Sequence, residues 1–366
     1  MIFHVLSVPM YPTKKEITLS PFVQKVYKFC KQFTEMGHTV YHYGLPESDV
    51  PCTKHFDVLS METHYESYQG MHWKKYLSSD ITTKAHHEFN ERSAKLIKKN
   101  RESKNDIVLA FWGIGNQVAC EHLNDFIVVE PSIGYDTMFA KNRVFETYTH
   151  MHTMLAKYGE FYPKWSDAVI PPGFEFQDFT FNDKKSDYLL FMGRMIDCKG
   201  LVIAQSLSQH TQIPIKFVGP HNMGNSLDKS CKLSEFIESV SFEERAELLS
   251  NAKALIMPSL YSEPCGWAMI EAFISGTPVI STDWGGMSEY NLHGVTGFRC
   301  RSANEFFHAA KNIQSIDPKT CHEYAKANFT LEYVSMLYQN YFSFLLDDVN
   351  SVKNTVSFTA RPFRFF

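Results

Sequence analysis

Two carboxylates, Glu263 and Glu271, stand eight positions apart in the run Ser262-Glu263-Pro264-Cys265-Gly266-Trp267-Ala268-Met269-Ile270-Glu271-Ala272. One acid precedes a helix-forming stretch and the other lies inside it. Gly266 permits close backbone approach, Trp267 to Ile274 reads as helical, Gly276 suits a left-handed stop, and Pro278 cannot continue the helix. The N–H groups of Gly266, Trp267 and Ala268 therefore come at the positive helix end, where an anion such as a diphosphate is readily held. Acids on both sides of an anion site suit a ligand carrying both phosphate and hydroxyl groups. A nucleotide sugar has both.

Two further clusters fit the same ligand. Gly193-Arg194 ends an apolar strand, and Lys199-Gly200 opens the helix that follows. Arginine offers a phosphate a planar bidentate grip and lysine a point charge, so the two converge naturally on one strand-to-helix turn. Downstream, Asp283-Trp284-Gly285-Gly286-Met287-Ser288-Glu289 follows another buried strand, and its two glycines allow either close ligand passage or tight turning. Plainer readings exist for each: solvated surface cations for Arg194 and Lys199, a dipole-stabilised acid for Glu263, and structural ion pairs for Glu271 and Glu289. Glu271, followed by Ala272, Phe273 and Ile274, would in any case be costly to bury without a partner.

Taken with the Gly276-Thr277-Pro278-Val279-Ile280 that follows, the Glu263/Glu271 segment resembles the paired-glutamate motif of retaining glycosyltransferases of family 4. The resemblance is specific from Tyr188 to Arg299 and looser over the first half of the chain. It implies a GT-B fold, in which two doubly wound Rossmann-like α/β domains face each other across a cleft and a C-terminal helix crosses back to the first domain. It also implies transfer of a hexose from a nucleoside-diphosphate sugar to an acceptor hydroxyl, on a glycan or glycoconjugate. By resemblance Gly193, Arg194, Lys199 and Gly200 hold the donor diphosphate, Glu263 the hydroxyls of the transferred sugar, and Glu271 the ribose. Gly219, Gly266, Trp267, Ala268 and Glu289 complete the donor-binding set, with Glu263, Arg194 and Lys199 as the catalytic group. The implied reaction is front-face, with the leaving phosphate helping to deprotonate the acceptor.

The first half departs from the family pattern. Relatives carry a glycine pair in the loop after the first strand, whereas Pro9 to Pro21 contains none. Lys14, Lys15 and the Ser20 hydroxyl are the residues available to compensate. A histidine that reaches the sugar in relatives has no clear counterpart in Val129-Glu130-Pro131-Ser132-Ile133-Gly134-Tyr135. The acceptor-side candidates are accordingly Lys14, Lys15, Ser20, Trp112, Glu130 and Tyr135.

The elements that must position these residues follow from periodicity. Ile2 to Val8 reads as a strand, Phe22 to Met36 as an amphipathic helix ending at Gly37, and Thr39 to Tyr43 as the next strand, one β-α-β unit of a parallel sheet. Asp106–Trp112 and Phe126–Glu130 add strands, while Pro46 to Asp80 is aperiodic. A second alternating series begins at Tyr188 with strands Tyr188–Met192, Ile215–Gly219 and Leu255–Pro258, a helix from Gly200 to Gln209, and a capping box at Ser241-Phe242-Glu243-Glu244. The expected division is residues 1–175 and 176–330, a returning helix at 331–350, and a tail at 351–366. Phe358 to Phe366 mixes aromatics with Arg361 and Arg364, and reads as a frayed end rather than an interaction segment.

Composition bounds the rest. With 366 residues, 44% hydrophobic and 21% charged, and a net charge of −4, the chain is a two-domain globular protein with no global pull toward nucleic acid. No apolar run reaches the length of a membrane span, the start lacks a basic leader, and a peripheral membrane contact stays open. The eight cysteines include no C-x-x-C pair, which fits reduced thiols in the cytoplasm. His150 and His152 face different sides of a helix, and no Asp-x-Asp is present, so the expectation is an enzyme needing neither metal nor cofactor. Donor base, acceptor and oligomeric state are left open. Two rival readings share the motifs: another GT-B enzyme, such as a nucleotide-sugar epimerase or a phosphorylase, and an inactive sugar-nucleotide-binding module.

Overall fold

A computed structural model describes residues 1–18, 20–69, 77–220, 226–238 and 240–350, without the side chains of 348–350. The tail at 351–366 lies outside the described residues.

The chain forms two compact units. The first is built on a seven-stranded sheet: β1 (Ile2–Leu6), β2 (Thr39–Gly44), β3 (Lys54–Asp57), β4 (Ile107–Ala110), β5 (Ile127–Ile133), β6 (Asn142–Phe145) and β7 (Ala168–Val169). Their spatial order is β3-β2-β1-β4-β5-β6-β7, and every pairing is parallel. Helices α1 (Pro21–Glu35), α2 (Met61–Ser67), α3 (Lys84–Lys99), α4 (Ile114–Glu121) and α5 (Tyr148–Lys157) connect them. Strands such as Ile107-Val108-Leu109-Ala110 are wholly buried because helices cover both faces of a parallel sheet. The two faces carry separate apolar clusters, one of them around Phe3, Phe29, Phe33 and Phe111.

The second unit repeats the plan with β8 (Leu189–Met192), β9 (Ile215–Val218), β10 (Ser234–Ile237), β11 (Ala254–Met257), β12 (Val279–Thr282) and β13 (Gly297–Cys300), ordered β10-β9-β8-β11-β12-β13 and again all parallel. Its helices are α6 (Leu201–Thr211), α7 (Phe242–Asn251), α8 (Trp267–Ile274), α9 (Met287–Tyr290), α10 (Ala303–Asn312) and α11 (Pro318–Asn328). Both sheets thus start at an inner strand, build outward on one side, and then reverse, between β1 and β4 in one and between β8 and β11 in the other. Ligands of open α/β sheets bind at such a reversal, beyond the carboxyl ends of the strands.

Local side-chain caps set the starts of two helices. Ser241 and Glu244 exchange both capping-box hydrogen bonds at the start of α7, and the Thr330 hydroxyl accepts from the Tyr333 amide at 3.3 Å to cap α12 (Leu331–Asn350). From Val334 onward α12 belongs to the first unit, where Val334, Tyr338, Tyr341, Phe342 and Leu345 join the cluster around Phe3. The unit boundary and the segment after Pro46 differ from the reading of the sequence. The chain passes between units at Ile170/Pro171, a few residues before the expected boundary, and Thr147–His152 counts with the second unit. The aperiodic segment after Pro46 contains β3 and α2, short elements whose half-exposed residues leave little periodicity to detect. All eight cysteines are unpaired, and no described helix is long and apolar enough to cross a membrane.

Candidate active site

The second sheet's reversal brings together three backbone turns that only glycine allows to meet. Gly219, just after β9, has φ +148°, and a β-carbon there would lie 2.0 Å from the Gly193 carbonyl oxygen. Gly200, with φ +76°, would meet the Pro258 carbonyl oxygen at 2.0 Å, so the turn before α6 lies directly against the segment leaving β11. The Leu260 amide donates to the Cys198 carbonyl at 2.8 Å across the same seam. A substituent at Gly193, by contrast, meets no described residue within 4 Å.

Into this seam the two turns project opposite charges. Lys199 Nζ donates to Glu263 Oε2 at 2.5 Å, and the Ser259 hydroxyl donates to the same oxygen at 3.2 Å. The Tyr261 phenol lies within the field of the Glu263 carboxylate, and its ring lies under Lys199 at 5.0 Å. Burial first and the Glu263 carboxylate second push the phenol above its ordinary range, while Arg194 opposes the shift, which places that guanidinium within electrostatic reach. Arg194 itself is exposed. Ser259 and Tyr261 escaped sequence reasoning, although both lie within four residues of Glu263.

Helix α8 is preceded by Gly266, in left-handed conformation at φ +84°, and among the described residues no side chain caps it. Its first N–H groups, from Gly266, Trp267 and Ala268, start three residues after Glu263. Glu271, buried in the second turn, meets Arg245 of α7, whose Nε donates to Oε2 at 3.0 Å and whose Nη2 also contacts that oxygen. This ion pair answers the cost of burying the carboxylate. No short-range pattern announces it, because the partners are 26 positions apart.

Gly285 and Gly286 admit protein backbone. A β-carbon at Gly285 would sit 2.6 Å from the Glu263 amide nitrogen, one at Gly286 2.6 Å from the Cys265 Cα, and the Gly286 amide donates to the Glu263 carbonyl at 2.7 Å. The pair therefore lets its loop press against the segment that carries Glu263. Glu289 is turned to the start of α5, accepting from the Tyr148 amide at 3.0 Å and the Thr149 amide at 2.5 Å. Carboxylates are favoured at helix N-termini for this reason.

In the first unit, four of the six expected acceptor-side residues are engaged by the fold itself. Ser20 is buried and its hydroxyl caps α1, accepting from the Val23 amide. Trp112 packs in the core against His86, with Gly115 leaving room for its indole. Glu130 is fully buried, accepting from the Phe139 amide at 3.0 Å, the Ala140 amide at 3.2 Å and the Tyr135 hydroxyl at 3.0 Å. Burial raises the Glu130 carboxyl to about 7 against those hydrogen bonds. Tyr135 is thereby committed to Glu130. Lys14 is half-buried and Lys15 exposed. His150 is buried and His152 exposed, on different sides of α5, and among the described residues no three His, Cys, Asp or Glu side chains are grouped to hold a metal ion.

Two parallel sheets of this strand order in one chain, the second with charge gathered at its reversal, make the fold GT-B. Residues 174–328, which include every site residue from Gly193 to Glu289, match the family model described as Glycosyl transferases group 1. Similar solved structures include sucrose-phosphate synthase from Thermosynechococcus elongatus (TM-score 0.69, 16% identity, 95% of this chain and all of that one). AviGT4, a glycosyltransferase involved in avilamycin A biosynthesis, has a TM-score of 0.65 at 17% identity, covering 95% of this chain and 98% of its own. Anabaena HepE, solved in complex with UDP and glucose, has a TM-score of 0.63 at 12% identity, covering 94% of this chain and 99% of its own. Among curated proteins, glycogen synthase of Mycobacterium tuberculosis is 31% identical over 98 residues, which is 26% of this chain. The match spans about a quarter (23%) of that relative's length.

Proposed function

We propose that the protein is a retaining glycosyltransferase of family 4, moving a hexose from a nucleoside-diphosphate sugar to an acceptor hydroxyl on a glycan or glycoconjugate. The observation that carries this reading is the meeting of Lys199 and Glu263 at 2.5 Å, at the second sheet's reversal and beside the uncapped start of α8. Cations and helix N–H groups there suit a diphosphate, and the carboxylate next to them suits sugar hydroxyls. Lys199, already held on Glu263, is pre-organised, so little reorganisation is needed when it turns to the phosphate.

In the proposed reaction the bond from the sugar's anomeric carbon to the diphosphate oxygen breaks while the acceptor oxygen bonds to the same face. The acceptor's proton passes to the leaving phosphate. Arg194, Lys199 and the α8 N–H groups stabilise the charge growing on that leaving group, and Glu263 orients the sugar. The proposed enzyme is cytoplasmic, which eight unpaired cysteines favour, and independent of divalent metal because the two cations take the metal's part.

The test is a thermal-shift comparison of UDP-, GDP- and ADP-glucose, followed by transfer assays in excess EDTA with the product anomer read by NMR. A sugar nucleotide at 100 times its dissociation constant should add about 2.7 kcal/mol of stability. UDP-glucose comes first because HepE, of the same fold, was also solved with it. Failure of all three to raise the melting temperature overturns the proposal, and loss of activity that Mg²⁺ restores overturns metal independence.

A further inference from the structure

The loop after β1, which lacks glycine, is tied down by a chain of side chains crossing the first unit from its interior to its surface. The Ser7 and Thr13 hydroxyl oxygens lie 2.6 Å apart, Thr13 Oγ1 lies 2.9 Å from His42 Nε2, His42 Nδ1 lies 2.8 Å from His55 Nδ1, and His55 Nε2 lies 2.9 Å from Asp57 Oδ1. Ser7, Thr13 and His42 are fully buried, whereas the Asp57 side chain is 56% exposed. The backbone of Thr13 is held as well: its amide donates to the Ser48 hydroxyl at 3.0 Å, and its carbonyl accepts from the Asp49 amide at 3.0 Å. Gly44 leaves space for the His42 ring, since a β-carbon there would lie 2.5 Å from its Cε1.

We propose that Ser7, Thr13, His42, His55 and Asp57 form a hydrogen-bond relay that positions the β1–α1 loop, with its donor direction set by the protonation of the imidazole pair. The relay rests on the glycosyltransferase reading only in treating this loop, at the first sheet's reversal, as a ligand-side wall. An imidazole nitrogen that accepts forces its partner to donate, so the chain has two consistent states. With both rings neutral, Ser7 donates to Thr13, Thr13 to His42 Nε2, His42 Nδ1–H to His55 Nδ1, and His55 Nε2–H to the Asp57 carboxylate. One proton added to the pair leaves His55 an imidazolium beside Asp57 and reverses every donor back to Ser7. Burial first and His55 second hold the His42 imidazole well below the ordinary histidine range, so His42 itself is neutral in both states and only the position of its N–H changes. Among the charged groups on the neighbouring segments, Asp57 bonds the relay, Lys54 lies over the Phe56 ring, Asp49 joins through its backbone, and Glu47 acts on His64.

Histidine ¹⁵N NMR on the full chain at pH 7.5 reads the direction: His42 is expected protonated at Nδ1 and unprotonated at Nε2. Hydrogen exchange of residues 9–18 reads the positioning. Thr13→Val should speed that exchange about tenfold, the scale of one or two lost hydrogen bonds. His55→Leu, which leaves every loop residue unchanged, should release the His42 tautomer and also speed loop exchange, and His55→Gln, whose amide oxygen can accept from His42, should restore both. A His42 protonated at Nε2 at pH 7.5, or a His55→Leu variant with parental tautomer and loop exchange, overturns the relay. Neither readout involves glycosyl transfer, so the two proposals fail separately.

Discussion

The two sheet reversals share one topology and differ in what fills them. Between β8 and β11, Gly200 and Gly219 let backbones meet, and Lys199, Glu263 and Tyr261 occupy the seam with Arg194 in electrostatic reach. Beside β1 and β4 no loop glycine is present before α1, and the space is taken by Trp112 and by the hydroxyl–imidazole chain from Ser7 to Asp57. The same strand order therefore creates a place for a ligand without deciding its chemistry. In the second unit the glycines keep side chains out, so charge can face an anion. In the first, side chains hold the loop themselves.

The sharpest test of this contrast is the loss of a cation. Lys199→Ala and Arg194→Ala should each lower turnover by roughly 10²–10³, because charge on the leaving diphosphate grows in the transition state. Lys14→Ala and Lys15→Ala should cost less than about tenfold. Kinetics at saturating donor decide; a Lys14 effect as large as that of Lys199 would erase the difference between the two reversals.

Stability should show the glycine requirement next. Gly219→Ala places a β-carbon against the Gly193 carbonyl, an overlap with backbone that costs about 3 kcal/mol. That corresponds to a melting temperature lower by roughly 6–12 °C. A calorimetric melt within 2 °C or so of the parent would mean that the seam opens easily.

Glu130 offers a test of the first unit's packed interior. Its folded carboxyl lies near 7 and that of the unfolded chain near the ordinary 4.5, so the native state binds the proton more tightly. Its stabilising contribution is complete below the unfolded value and lost as pH rises through the folded one, about 3 kcal/mol at most. Glu130→Gln, which can still accept from Phe139 and Ala140 and donate to Tyr135, should remove this fall. Melting curves from pH 5 to 8 should therefore show the variant gaining on the parent as pH rises, and parallel curves would place Glu130 in a wetter setting.

The smallest difference separates the two glutamates of the second unit. Glu271→Gln should weaken binding of free UDP and of UDP-glucose alike, whereas Glu263→Gln should spare UDP and harm sugar transfer; each loss is on the scale of about 1.5–3 kcal/mol. Calorimetry on both ligands tells them apart. Equal loss of free UDP binding in the two variants would show that the roles do not divide along α8.

Much of the second unit was legible in the chain. The α8 span Trp267–Ile274, the capping box of α7 and the strand before Gly193 rest on periodicity, caps and breakers, which act over a few residues. The returning helix α12 was equally plain, because a long helix repeats its apolar face several times. Less was legible in the first unit. Ser20, Trp112 and Glu130 carry groups that would serve a site or a core equally well, and only burial tells which.

By itself, then, the sequence determined the alternation of strands and helices, the two-unit plan, and the glycine, cation and carboxylate spacing of the second unit, because each is written in neighbouring residues. Tertiary structure alone decided the partners: Arg245 for Glu271, the α5 amides for Glu289, backbone instead of ligand beside Gly285 and Gly286, and an imidazole pair joining Thr13 to Asp57. Those pairings depend on which strands lie side by side. Buried polar groups must find partners, but a partner remote in the chain leaves no local trace of its identity.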